Sequence, residues 1–207
     1  MPLWGNSTSA ESRPKFLSKN KNATGAGGAR QNAFANTSGW ALRPGLAMSG
    51  NDNTSAQPEV LVAIGDLAGA SSSTGLRTPT VTNLRYVVGT TATTDFTAGD
   101  GTQQILVEVT WDEAVTIAGS PQIVVVNGNQ SSAGYGNHTL TYTATGSTAN
   151  RKRFEATSRS LGNTDVLTTP AAIGLNSGTI SDTVVGGTTL AASLDISDVV
   201  QVRTVSS

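Results

Sequence analysis

From residue 78 onward, apolar and polar side chains alternate in short runs broken by Gly, Asn, Asp, Ser and Pro. The clearest run is 104–111 (QILVEVTW), where Ile105, Val107, Val109 and Trp111 share one face of a strand and Leu106, Glu108 and Thr110 the other. Residues 81–88, 115–117, 122–126, 139–144, 153–157, 166–167, 172–175, 179–180 and 199–205 supply further candidates, with a turn-rich stretch after residue 88. Asn127-Gly128 follows an apolar run and predicts a tight hairpin. Many short strands at this spacing, without a convincing long helix, predict an all-β sandwich.

Residues 1–57 read differently. Their apolar side chains stand alone (Trp4, Phe16, Leu17, Phe34, Trp40, Leu42, Leu46 and Met48), separated by runs such as NATGAGGA at 22–29. Residues 29–35 (ARQNAFA) fit a short helix or turn, and 38–44 (SGWALRP) an extended segment ending at the proline. Residues 58–65 (PEVLVAIG) form a dense apolar run and predict a short buried strand, or else a helical turn. The run AGASSSTG at 68–75 has linker composition. The organisation that follows is an extended, mostly irregular N-terminal arm at 1–57, a short strand or turn plus Gly/Ser linker at 58–77, and a sandwich at 78–207.

Composition narrows the chemistry. Charged residues make up 13% of the 207 residues, well below the roughly 25% of an average soluble domain. With Gly, Ser, Thr and Asn abundant, this suits an all-β chain or one that covers much of its surface in an assembly. The formal net charge of −1 offers no basic field for nucleic acid. Residues 1–70 hold six Lys/Arg against four Asp/Glu, and the remainder seven against ten. The N-terminal sequence carries no signal-peptide pattern, and no run approaches the ~20 apolar residues of a membrane span, which predicts synthesis in a cytoplasm and no membrane partner. The six N-x-S/T sequons, at Asn6, Asn22, Asn36, Asn53, Asn129 and Asn137, reflect the Asn, Ser and Thr content.

Little points to catalysis. With no cysteine and a single histidine, thiolate nucleophiles and His/Cys metal sites are excluded. His138 reads as a surface or turn residue, since no nucleophile elbow accompanies it. Asp112-Glu113 with Asp100, and Asp195 with Asp198, supply oxygen ligands of the kind Ca²⁺ takes, but no calcium-loop spacing occurs and strand-end solvation is the default reading. Arg151-Lys-Arg153 reads as a solvated basic loop, or as a contact for a carboxylate-rich neighbour. The expectation is a protein that is not an enzyme and has neither cofactor nor metal.

Aromatic residues dominate interface hot spots, and the arm has little core of its own to bury them. Trp4, Pro14, Lys15, Phe16, Leu17, Arg30, Phe34 and Trp40 are therefore the candidate partner-binding residues. The competing reading is a small private core made with residues 60–64.

Two resemblances add to this. Residues 97–128 (TAGDGTQQILVEVTWDEAVTIAGSPQIVVVNG), continued by LTYT at 140–143 and LNSGTISD at 175–182, resemble the bacterial Ig-like repeats of large surface proteins. The likeness spans about 100 residues and implies an Ig-like β-sandwich. It departs at 145–165, where Arg151-Lys-Arg153 replaces an acidic Gly-Asp turn. The N-terminal motifs LWG at 3–5, PKFL at 14–17, Gly39-Trp40 and EVLVAI at 59–64 resemble virion structural proteins of marine and cyanobacterial tailed phages. That resemblance implies a capsid decoration (cement) protein on the outer capsid surface, with the major capsid protein and copies of itself as partners. A tail, neck or fibre component is the alternative within the virion. A carbohydrate-binding adhesin, holding a host-surface glycan near Tyr135 and Trp111, is the alternative of another class.

Overall fold

The computed structural model describes residues 13–14, 17, 33–45, 53, 55–65, 67–68, 78–88, 91–92, 96–98, 103–128, 136–183 and 190–206. The fold is all-β, and the one helical element among these residues is a 3₁₀ turn at Ser197–Val199. The predicted linker at 68–75 lies, apart from Ala68, outside them. The chain gathers into two compact units, each assembled from separate stretches: 1–83, 110–116 and 181–193 in the first, and 84–109, 117–180 and 194–207 in the second.

The first unit holds a three-stranded antiparallel sheet, β1 (Ala33–Asn36), β2 (Gly39–Leu42) and β3 (Glu59–Ala63), in that order. The β1–β2 turn is built by Asn36, whose Oδ1 accepts from Ser38 N at 2.8 Å and Gly39 N at 3.0 Å. Gly39 has φ +132°, and a Cβ there would run into the Val62 carbonyl and stand 2.6 Å from Ile64 N. Only glycine fits that corner. The extended reading of 38–44 holds across β2. The helix-or-turn reading of 29–35 gives way at 33–35, because cross-strand pairing such as Ala33 with Leu42 and Ala35 with Trp40 outweighs local propensity. β3 is a strand, as the apolar run predicts, but not a buried one: it lies at the sheet edge with Val60 and Ala63 exposed.

The second unit carries nearly all of a nine-stranded sheet. It contains β4 (Val81–Val88), β5 (Thr91–Ala92), β6 (Phe96–Thr97), β7 (Gln103–Trp111), β9 (Gln122–Gly128), β10 (His138–Thr143), β11 (Arg151–Arg159), β12 (Val166–Thr168) and β14 (Val202–Ser206). The spatial order is β5-β4-β7-β11-β10-β9-β12-β14-β6. A separate pair joins β8 (Val115–Ala118) to β13 (Thr179–Asp182).

Tyr86 on β4, next to one end of the nine-stranded sheet, touches Phe96 on β6 at the other end, with ring centroids 5.3 Å apart and nearly perpendicular. The sheet therefore curls over on itself into two facing layers, the sandwich architecture expected from the strand spacing. Between the layers Leu84, Ile105, Val107, Val109, Ile123, Val125, Leu140, Phe154, Leu167 and Val205 are buried, each on an alternating strand position.

Two local predictions change. Asn127-Gly128 is not a hairpin turn but the end of β9, paired with Leu167 and Val166 of β12. Asn127 donates its side-chain amide to buried Asp165 at 2.9 Å, which ties it into the sheet. Residues 172–175 form no strand and contribute only isolated bridges, Ala172 to Asp195 and Gly174 to Gln122.

Candidate partner-binding site

Of the eight residues proposed to meet a partner, Trp4, Lys15, Phe16 and Arg30 lie outside the described residues. The other four are buried. Trp40 is 0% exposed and, with Leu17, Ala33, Ala35, Leu42 and Leu67, forms a hydrophobic core against which Leu61, Val62, Ile64 and Ala68 pack. Phe34, on the opposite face of β1 from Ala33 and Ala35, is buried as well, as is Pro14, whose carbonyl accepts from Leu17 N at 3.3 Å. This is the private core that the sequence left open as the competing reading. At about 1.5–3 kcal/mol for each large apolar side chain buried, it stabilises the sheet that contains it. The polar end of Trp40 is less well served: its Nε1–H has no hydrogen-bond partner.

The polar side chains singled out in the sequence are consumed inside the fold. Glu108 on β7 is buried and faces three guanidiniums from the flanking strands. Arg85 of β4 donates to its Oε1 through Nη2 at 2.7 Å and Nε at 3.0 Å, Arg151 of β11 approaches Oε1 at 3.2 Å, and Arg153 donates to Oε2 at 3.2 Å. The basic cluster is thus neither a solvated loop nor, among the described residues, a free contact for an acidic neighbour. Its arginines sit in a strand and neutralise a buried carboxylate. Lys152 between them points the other way, and burial lowers its pKa.

His138 is also not a surface residue. It opens β10 in register with Val125, is buried, and its Nε2 has no partner. Burial, then the Arg159 charge, lowers its pKa against an opposing pull from Asp165. Asp165 accepts in addition from Gly162 N at 2.9 Å. Composition alone carries no signal for this, because the burial comes from pairing across β9, β10 and β12.

The carboxylates read as solvated strand ends divide. Asp195 is exposed and accepts from Ser197 through N at 2.9 Å and Oγ at 2.7 Å, which lowers its pKa. Asp112 and Glu113, in the first unit, are buried instead. Asp112 accepts from Thr80 N at 2.7 Å and Thr80 Oγ1 at 2.6 Å, yet burial still raises its pKa to about 6. Among the described residues no group of three or more His, Cys, Asp or Glu is arranged to hold a metal ion. Asp100 is outside them. Trp111, one of the two aromatics suggested for glycan stacking, is fully buried and donates Nε1–H to Ser193 O at 3.1 Å, so it presents no stacking face; Tyr135 is outside the described residues.

What the fold does expose is an uncharged sheet face that the sequence reading missed. On the outer side of β9, β12 and β14, Val126, Thr168 and Val202 stand in register across three strands. Val126 is 46% and Val202 51% exposed, and Val124, in register with Thr139 of β10, is exposed beside them. The available signal was the period-2 pattern of β9, since an apolar residue at every position of 123–126 leaves half of them facing outward.

Comparison of the chain with protein-family models, with curated proteins and with solved structures found no match. No helix among the described residues is long and apolar enough to cross a membrane.

Proposed function

We propose that the chain is a non-enzymatic structural protein of a tailed-phage virion, a decoration protein that binds neighbouring major capsid subunits and copies of itself on the outer shell. The observation that carries the reading is the exposed Val/Thr face of β9, β12 and β14. Val124, Val126 and Val202 are exposed, Thr168 between the last two is uncharged, and the strands that carry them are paired in register. Apolar side chains exposed together on one sheet face are what an interaction surface offers a partner. The resemblance of residues 3–5, 14–17, 39–40 and 59–64 to tailed-phage virion proteins supplies the kind of particle.

The burial of Leu17, Phe34 and Trp40 changes how binding works. These side chains hold the first unit's own sheet in place. Contact with a partner then falls to the outer sheet face and to Trp4, Lys15, Phe16 and Arg30. A single face of this size binds weakly, and repetition over a symmetric shell multiplies it.

The test is occupancy. Purified chain is added to capsids lacking it, and bound copies are counted by cryo-electron microscopy and quantitative mass spectrometry. Hundreds of copies on the head support the reading, whereas a few copies, or a stack along the tail, assign the chain to a tail, neck or fibre instead. The paired substitution Val126→Glu and Val202→Glu places charge on the face without touching the core, and is expected to lower head occupancy at least tenfold while leaving the melting temperature unchanged.

A further inference from the structure

Among the described residues of the first unit, Glu113 has both oxygens of a buried carboxyl without a hydrogen-bond partner. It is 1% exposed. Its backbone is pinned on both sides. Ala35 of β1 forms a parallel bridge with Glu113 and donates its N–H to Asp112 O at 2.5 Å, and Thr183 N donates to Ala114 O at 3.2 Å. The backbone that carries this carboxyl is thus tied both to β1 and to the chain after β13.

The charges around it are unfavourable to an anion. Among the described residues, Asp112 faces Glu113 from its own segment and Asp182 from β13, and both repel a carboxylate. The Arg13 charge acts on Asp112, whose two oxygens are also taken by Thr80. β1 meets Glu113 with Ala35 and brings no charge. Burying an ionised carboxylate with neither partner nor counter-ion costs several kcal/mol, so the group keeps its proton instead.

We propose that Glu113 is a proton-held latch: the junction of β1, residues 112–114 and Thr183 is closed only while this carboxyl is protonated, and its ionisation in mild alkali opens the junction. Burial first, then Asp112 and Asp182, pushes the carboxyl up to about 9. In the unfolded chain it titrates near the ordinary Glu value, about 4.5. A raised carboxyl contributes its full stability below the unfolded value and loses it as pH rises through the folded one, so the loss accumulates from about pH 4.5 to pH 9.

The experiment is thermal unfolding of the full chain at pH 5 to 10, followed by circular dichroism and tryptophan emission, for the wild type, Glu113→Gln and Asp182→Asn. Glu113→Gln keeps the shape of the protonated acid. It is expected to melt above the wild type at pH 9 by about 5 °C or more and to converge with it near pH 5. Asp182→Asn removes one repelling charge and is expected to reduce the wild-type loss without abolishing it. A wild type whose melting temperature is flat over this range, or a Glu113→Gln variant that melts below it at pH 9, overturns the latch. So does a rise in melting temperature in millimolar calcium chloride that Glu113→Gln removes, because it would give the carboxyl a metal ion in place of the proton.

Discussion

Glu108 is the residue on which the β4-β7-β11 face depends. One buried carboxylate faces Arg85, Arg151 and Arg153, so removing its charge leaves like charges together with no anion between them. Glu108→Gln is expected to destabilise the chain by about 3–5 kcal/mol, read from the urea midpoint at unchanged slope. Replacing Arg85, the most exposed of the three, is expected to cost less, since two guanidiniums remain. His138 acts in the opposite pH direction to Glu113. A histidine whose pKa is lowered by burial must charge in the unfolded chain first, so stability falls as pH drops below about 6.5. His138→Gln is expected to flatten that acid limb, measured as melting temperature between pH 7 and 5.

At the scale of elements, the β1–β2 hairpin hangs on Asn36 and Gly39. Gly39→Ala sets a methyl group into the Val62 carbonyl at positive φ, and is expected to unpair β3 from β2 and release Trp40, seen as a red-shifted tryptophan emission. Much of this level was legible in the sequence. The alternation at 104–111 placed Ile105, Val107, Val109 and Trp111 on the face that is fully buried. It did not show that Leu106, Glu108 and Thr110 are buried too, because period 2 assigns residues to faces without saying what covers each face. The residues at 33–35 and Asn127-Gly128 failed for a related reason: a helix-compatible run and a turn dipeptide were overruled by pairing with another strand, the next one in the chain (β2) for the first and the sequence-distant β12 for the second. The candidate site was the least legible part. Isolated aromatics in a polar arm look alike whether they wait for a partner or fill a private core, and the deciding neighbours, Leu61, Val62, Ile64 and Leu67, are 20 or more residues away from Trp40.

For the molecule as a whole, each compact unit draws on non-contiguous stretches of chain, and this sets how it responds to truncation. β14 sits between β12 and β6, so it belongs to the interior order of the nine-stranded sheet and not to its margin. Deleting Val202–Ser206 is expected to unfold the second unit cooperatively instead of trimming it, with loss of amide-exchange protection at β4 and β7 as well as β12. The curl that brings Phe96 onto Tyr86 also has a kinetic side. β6 is held by a parallel partner, and Ser206 donates to Phe96 O across 110 residues of chain. Little is gained from that closure until most of the sandwich exists, and the loop entropy must be met first. Refolding should therefore be slow, in the milliseconds-to-seconds range of β-rich domains. Until the sheet closes, the intermediate presents Phe96 and Val205 to other copies, which makes the yield of folded protein fall as its concentration during refolding rises.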